Sequence, residues 1–144
     1  MLKNKLKFKT LFELLKSSSL FYKDLDEFQK SYLATVVGAA IFYLPSGKKT
    51  FSGYISEEAI KVEKNKRVKE HSFPRKIAGK LLLENPPKSI EELEELYYTK
   101  YGQWNLVTKK ENNDLRKFQK INNFISPEDS YQKANIKLCL VIQP

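Results

Sequence analysis

Val68-Lys69-Glu70-His71-Ser72-Phe73-Pro74-Arg75-Lys76 and, some thirty residues later, Gln103-Trp104-Asn105-Leu106-Val107-Thr108-Lys109-Lys110-Glu111-Asn112-Asn113 decide how this chain folds. Each reads as a strand that runs out into a helix. The first carries an acidic residue beside the chain's single histidine, with Pro74 ahead of a helical stretch from Arg75 to Leu83. Asn85-Pro86-Pro87 stops that helix, because proline lacks a backbone donor and its ring clashes with the preceding turn. Ser89-Ile90-Glu91-Glu92 is a capping box for a further helix to about Tyr98, with Ile90, Leu93 and Leu96 or Tyr97 facing inward. Gly102 separates it from a short strand at Trp104 to Val107. Lys109 to Lys120 then reads as a helix with Leu115 and Phe118 on its buried side.

Towards the N-terminus, Leu11, Leu14 and Leu15 predict a short first helix, interrupted at Ser17-Ser18-Ser19. A longer helix is expected from about Asp24 to Tyr43. There Phe28, Tyr32, Leu33, Val36, Val37, Ala40 and Ile41 follow helical spacing and form one wide apolar face, while Asp24 and Asp26 suit the positive end of the helix. Pro45-Ser46-Gly47 ends it. Phe51, Tyr54 and Ile55 open a strand or a short helix, and Ser56-Glu57-Glu58 is a helix start. Lys61, Lys64, Lys66, Arg67 and Lys69 leave only Val62 and Val68 as apolar anchors, the pattern of a solvated strand or hairpin. Near the C-terminus, Ser126-Pro127-Glu128-Asp129 starts a last short helix, with Ser as cap and Pro at its first position. Ile136 to Ile142 reads as a strand, with Cys139 as one of its small core residues.

These elements predict an α+β fold in one domain, residues 1–144. A mainly helical part (1–65) precedes a strand-and-helix core (66–120), and a helix and strand close the chain (121–144). Nothing in the sequence repeats, and no low-complexity linker divides it. Lys and Arg number 26 against 17 Asp and Glu, a formal charge of +9, so the field of the protein attracts polyanions. Nucleic acid is the first candidate partner and an anionic membrane surface the second. The best apolar stretch, Tyr32 to Leu44, falls well short of the roughly 20 residues that cross a bilayer. No apolar stretch of signal-peptide length follows the basic N-terminus, so a cytoplasmic protein without membrane contact is expected. One cysteine excludes an internal disulfide and a cysteine-ligated zinc site.

The two quoted stretches, from Val68 to Lys120, resemble the two halves of an HNH, or ββα-metal, endonuclease site. In that family an acidic residue and a histidine end one strand, and an amide-bearing strand then leads into a helix that supplies a further metal ligand. The resemblance implies His71 as general base and Glu70 in the place where the family commonly has Asp. Val107-Thr108-Lys109-Lys110-Glu111-Asn112 looks like the start of the family's helix. Counting back nine residues from Asn112 puts Gln103 at the middle-amide position. Asn105, paired with Asn113 or Asp114, is the rival register, and the favoured one, with Asn105 as brace and Asn113 as helix ligand. The separation of His71 from Asn105 exceeds that of the compact motif, so Arg75 to Tyr98 is expected as a helical insertion between the strands.

The resemblance further implies a metal-dependent deoxyribonuclease that uses one Mg²⁺ or Mn²⁺ ion, since oxygen ligands suit such hard cations. Small basic enzymes of this kind are commonly restriction, phage or mobile-element endonucleases. A homodimer would carry two symmetric sites and cut both strands of double-stranded DNA. Lys64, Lys66 and Arg67 are expected to track the duplex backbone, and Arg75 and Lys76 to contact the scissile region. Two other readings compete: a nucleic-acid-binding protein without chemistry, and an adaptor whose basic surface meets an acidic partner.

Overall fold

The computed structural model describes residues 2–141. Seven α-helices and one four-stranded sheet are found among them, an α+β fold. The helices are α1 (Leu2–Ser19), α2 (Glu27–Phe42), α3 (Glu57–Ile60), α4 (Arg75–Glu84), α5 (Ile90–Leu96), α6 (Lys109–Leu115) and α7 (Pro127–Lys133). The strands are β1 (Phe51–Ser56), β2 (Arg67–His71), β3 (Trp104–Thr108) and β4 (Leu138–Leu140), in the order β2-β3-β1-β4. β2 and β3 are antiparallel neighbours, with Glu70 opposite Asn105 and His71 opposite Trp104. α4, α5 and a π-helical turn at Tyr97–Tyr101 form the insertion between them. α6 follows β3 directly and packs on both strands.

Several boundaries differ from the sequence reading. α1 is 18 residues long and runs through Ser17, Ser18 and Ser19, whose hydroxyls do not stop it. Ser17 and Ser19 instead donate back to the carbonyls of Glu13 and Lys16, a bond that a serine makes within a helix at little cost. α2 begins at Glu27, because Asp26 caps it and Gln29 closes the capping box. α6 stops at Leu115, short of Lys120. β4 is confined to Leu138–Leu140, and Cys139 is half-buried on this edge strand instead of lying in the core. The last residue of the expected strand, Ile142, lies outside the described residues.

The largest departure is β1. It runs parallel to β3 in the middle of the sheet, so the part of the chain before residue 66 supplies a central strand. Between the pairs Phe51–Trp104 and Ile55–Leu106 its register shifts. Gly53 sits in this bulge at φ 88°, a conformation open to glycine at no steric cost. At the far edge, β2 carries Arg67 and Lys69 of the basic run read as a solvated strand or hairpin, whereas Lys61 caps the end of α3 and Lys64–Lys66 forms a 3-10 turn. Charge on an edge strand discourages unwanted pairing.

The main core lies among α1, α2, α4 and α5, around Phe8, Leu11, Leu15, Val37, Ile41, Leu82, Leu83 and Leu93. A smaller one joins Leu115, Tyr131 and Ile136. α2 buries Ala34, Val37, Gly38 and Ile41, whereas Phe28 and Tyr32, expected to face inward, are 82% and 67% exposed. Where α4 comes closest, the inward stripe of α2 carries the small residues Ala34 and Gly38. A Cβ on Gly79 would stand 2.5 Å from the Ala34 carbonyl oxygen and 3.0 Å from the Gly38 nitrogen. Backbone cannot rotate aside as a side chain can. Gly79→Ala should therefore destabilise the fold by about 1–3 kcal/mol, although alanine is by itself the better helix former by about 1 kcal/mol. Thermal melts check this, and an unchanged or raised Tm would show that the crossing yields easily.

Candidate active site

Period-two alternation along a strand sends neighbouring side chains to opposite faces, and this governs where the expected site residues sit. Lys69, His71 and the facing Trp104 share one face of β2–β3; Glu70, Ser72 and Asn105 share the other. α2 and Tyr97 cover the first face, and α6, α7 and the segment between them cover the second.

On the first face, His71 lines a cavity of about 420 Å³ with Ile41, Phe42, Ser46, Lys69, Arg75 and Tyr97. Burial, reinforced by the charges of Arg75 and Lys69, lowers the His71 pKa to about 4. The ring is therefore uncharged at neutral pH and free to accept a proton. Arg75 stacks on the Phe42 ring at 3.8 Å, and the Lys69 ammonium lies 4.4 Å from the Trp104 ring centroid. The Tyr97 hydroxyl donates to the Pro45 carbonyl at 2.8 Å, which ties the wall of the cavity to the end of α2.

On the second face, Glu70 is buried and both its carboxylate oxygens are engaged. Gln119 Nε2 donates to Oε1 at 2.5 Å, and the Tyr131 hydroxyl donates to Oε2. Asn105 Nδ2 donates to the Tyr131 hydroxyl at 2.5 Å and to Ser72 Oγ at 3.0 Å, while its Oδ1 accepts from Ser52. Burial pushes the Glu70 carboxyl up to about 7, against the opposing effect of its hydrogen bonds from Tyr131 and Gln119 and of the nearby Asn105 amide. The same burial, with the Glu70 charge nearby, raises the Tyr131 phenol above its usual value.

The expected ligand set thus divides. His71 and Glu70, adjacent in sequence, face different sides of the sheet. Asn105 braces Glu70 through Tyr131 and does not reach His71. Gln103 donates to the Tyr98 carbonyl and accepts, through its own carbonyl, from the Ser72 nitrogen. Asn113 is exposed and Asn112 half-buried on α6, away from the histidine face. Among the described residues no group of three or more His, Cys, Asp or Glu side chains is placed to hold a metal ion. One carboxylate, one imidazole and one amide would fall below that count in any case, so geometry decides. With Glu70 sealed by Tyr131 and Gln119, these residues in this arrangement do not fit a shared divalent ion.

Part of the family-like helix start has a structural explanation. Thr108 and Glu111 form a capping box for α6, and Glu111 also accepts from Ser56 Oγ at 2.6 Å. Ser56 in turn caps α3. The basic residues also separate. Lys64 and Lys66 are exposed, but the Arg67 guanidinium donates to the carbonyls of Ala59, Ile60 and Val62 at the end of α3. Lys76 donates to Ser31 Oγ at 2.6 Å and so joins α4 to α2. Of the two cations expected near the scissile region, only Arg75 reaches the His71 cavity.

Sequence reasoning missed Gln119 and Tyr131, which meet Glu70 from 49 and 61 residues away. It also missed the cavity's contributors from α2. A larger cavity of about 1050 Å³ lies elsewhere, between α1, α2 and α4, with Lys23, Lys30 and Lys80 interleaved with Glu27 and Glu84. Its charges compensate one another, as in the Lys80–Glu84 pair at 3.8 Å, and it holds no group poised for proton transfer. No helix among the described residues is long and apolar enough to cross a membrane. Compared with known proteins, the chain matches no family model, no curated protein and no solved structure.

Proposed function

We propose that this protein is a nucleic-acid phosphodiesterase, an endonuclease acting on DNA, with His71 as its general base. One observation carries the reading: an uncharged imidazole stands in the wall of a cavity that also holds Lys69 and Arg75. Phosphodiester hydrolysis needs a base for the attacking water and positive charge for the phosphate, held in line. Lys69 and Arg75 supply the charge, and Pro74 with α4 fixes Arg75 beside the histidine. The antiparallel β2–β3 pair followed by α6 has the strand–strand–helix order of the HNH resemblance, with α6 on the Glu70 face and not on that of His71. That resemblance also implies a Mg²⁺ or Mn²⁺ ion, but Glu70, sealed by Tyr131 and Gln119, does not fit as its ligand, and no step is assigned to the ion. The proposal sets the protein in the cytoplasm, with nucleic acid as partner and a pair of copies cutting both strands.

Nicking of supercoiled plasmid by purified protein tests this, with Mg²⁺, with Mn²⁺ and with a chelator. Cleavage in any arm supports the enzyme, and the chelator arm says whether an ion takes part. Absence of cleavage in all three, with binding retained, favours the second reading, a nucleic-acid-binding protein without chemistry. That reading draws on the sealing of Glu70 by Tyr131 and Gln119.

The backbone track makes a separate prediction. Replacing Lys64 and Lys66 by Ala should flatten the dependence of log K on log salt by up to about two phosphate contacts. Arg67→Ala should instead lower the Tm, because three carbonyls at the end of α3 lose their donor. A Tm loss from the lysines and a salt effect from Arg67 would reverse the two roles.

A further inference from the structure

We propose that Phe42, Tyr43 and the basic cavity beside them form a subsite for one unpaired nucleotide, its base stacked on the exposed rings and its phosphate held by Lys69 and Arg75. This rests on the nucleic-acid reading of the His71 cavity and names part of its substrate.

Phe42 and Tyr43 are 52% and 67% exposed where α2 ends, and their rings meet edge to face at 5.2 Å. Phe42 lines the cavity with Lys69, Arg75 and His71, so aromatic surface and positive charge border the same space. Arg75 already lies over the Phe42 ring, a cation–π contact that holds the guanidinium beside the cavity. Among the described residues neither Lys69 nor Arg75 takes part in an ion pair. Their charge is therefore available to an anion, unlike that of Lys30 and Lys80 in the larger cavity, which pair with Glu27 and Glu84.

At about 420 Å³ the cavity falls within the range of roughly 300–1,000 Å³ that small-ligand clefts occupy. Exposed aromatic rings beside cations are what sequence-tolerant binding of single strands uses, because every base has a face to stack. In an intact duplex those faces are covered by neighbouring base pairs. The rings can be used only by a base that is single-stranded or turned out of the stack.

The test measures binding in the presence of a chelator, by anisotropy of labelled probes, with emission from Trp104 as an internal reporter. Trp104 is the chain's single tryptophan and lies under Lys69. The probes are a short oligothymidylate, an abasic strand with the same phosphates, an oligouridylate and a duplex of equal length. Oligothymidylate should bind roughly tenfold tighter than the abasic strand, the scale of one stacked base. Tyr43→Leu should shrink that advantage while leaving abasic binding unchanged, whereas Phe42→Leu, which also removes the ring under Arg75, should shrink it and weaken abasic binding as well. Lys69→Gln should weaken both strands alike and alter the Trp104 response.

Tighter binding of oligouridylate would keep the subsite and make its occupant a ribonucleotide. Equal affinity for oligothymidylate and the abasic strand, or a preference for duplex, would overturn the proposal. The wild-type comparison decides this without any variant. Base-dependent binding without plasmid cleavage keeps the subsite and removes the nuclease; cleavage without base-dependent binding does the reverse.

Discussion

Replacing His71 by Ala should reduce plasmid cleavage by roughly 10²-fold or more, the usual scale for removal of a general base, while DNA binding stays nearly intact. The cations of the cavity remain, and they carry the binding. Rates at saturating protein separate the chemical step from affinity, and anisotropy gives the affinity itself. With a pKa of about 4, His71 is already deprotonated through the neutral range. The limb of the pH–rate profile that belongs to it should fall only as pH drops towards 4. A base this weak abstracts a proton less readily than one poised near 7, so the enzyme depends more heavily on Lys69 and Arg75 to hold the phosphate. Unchanged cleavage by His71→Ala would remove the histidine from the chemistry and the active site with it.

Much of the frame around that histidine is legible in the sequence. Capping residues announce α5 and α7, because a side-chain acceptor at the head of a helical stretch has few other uses. The Asn85-Pro86-Pro87 stop and Gly102 bound the insertion, and the strand Trp104 to Val107 lies where the reading puts it. By contrast, the parallel insertion of β1 between β3 and β4 has no local signature. A parallel neighbour is joined through a long connection, and its register here depends on a bulge at Gly53. α2 shows a different limit. Apolar residues lie almost all the way round it, so periodicity cannot select the buried stripe; the approach of α4 at Gly79 does.

The candidate site is legible by residue type and illegible by side. Glu70 and His71 are adjacent on a regular strand, so alternation alone separates them once β2 is assigned. Family resemblance places both at one centre. The groups that engage Glu70, Gln119 and Tyr131, come from beyond α6 and from α7, and only the packing of Leu115 against Tyr131 and Ile136 brings them there. No spacing rule joins them to Glu70.

Glu70→Gln should expose an opposing pair of pH dependences in the stability of the fold. In the native state the Glu70 carboxyl keeps its proton up to about pH 7, whereas the ordinary value for such a group is 4.5. The native state thus binds more protons than the unfolded chain in that window. The contribution is fully present below about 4.5 and is lost as pH rises through about 7, amounting to about 3 kcal/mol. His71 acts with the opposite sign, its pKa falling from 6.5 to about 4. Its contribution is present above 6.5 and is lost as pH falls through about 4. Between about 4.5 and 6.5 the two slopes cancel in the wild type. Glu70→Gln should leave the His71 slope alone, so that stability climbs with pH; His71→Ala should leave the Glu70 slope alone, so that it declines. Urea melts across this range decide it, and a Glu70→Gln profile identical to wild type would show that Glu70 keeps its ordinary pKa. The same variant distinguishes a structural Glu70 from an ion ligand. A ligand that binds only the folded state raises stability by mass action. A Mg²⁺-dependent rise in Tm at pH 8, present in wild type and absent in Glu70→Gln, would mean that the ion displaces Tyr131 or Gln119. The sealed network around Glu70 predicts equal melts with and without Mg²⁺.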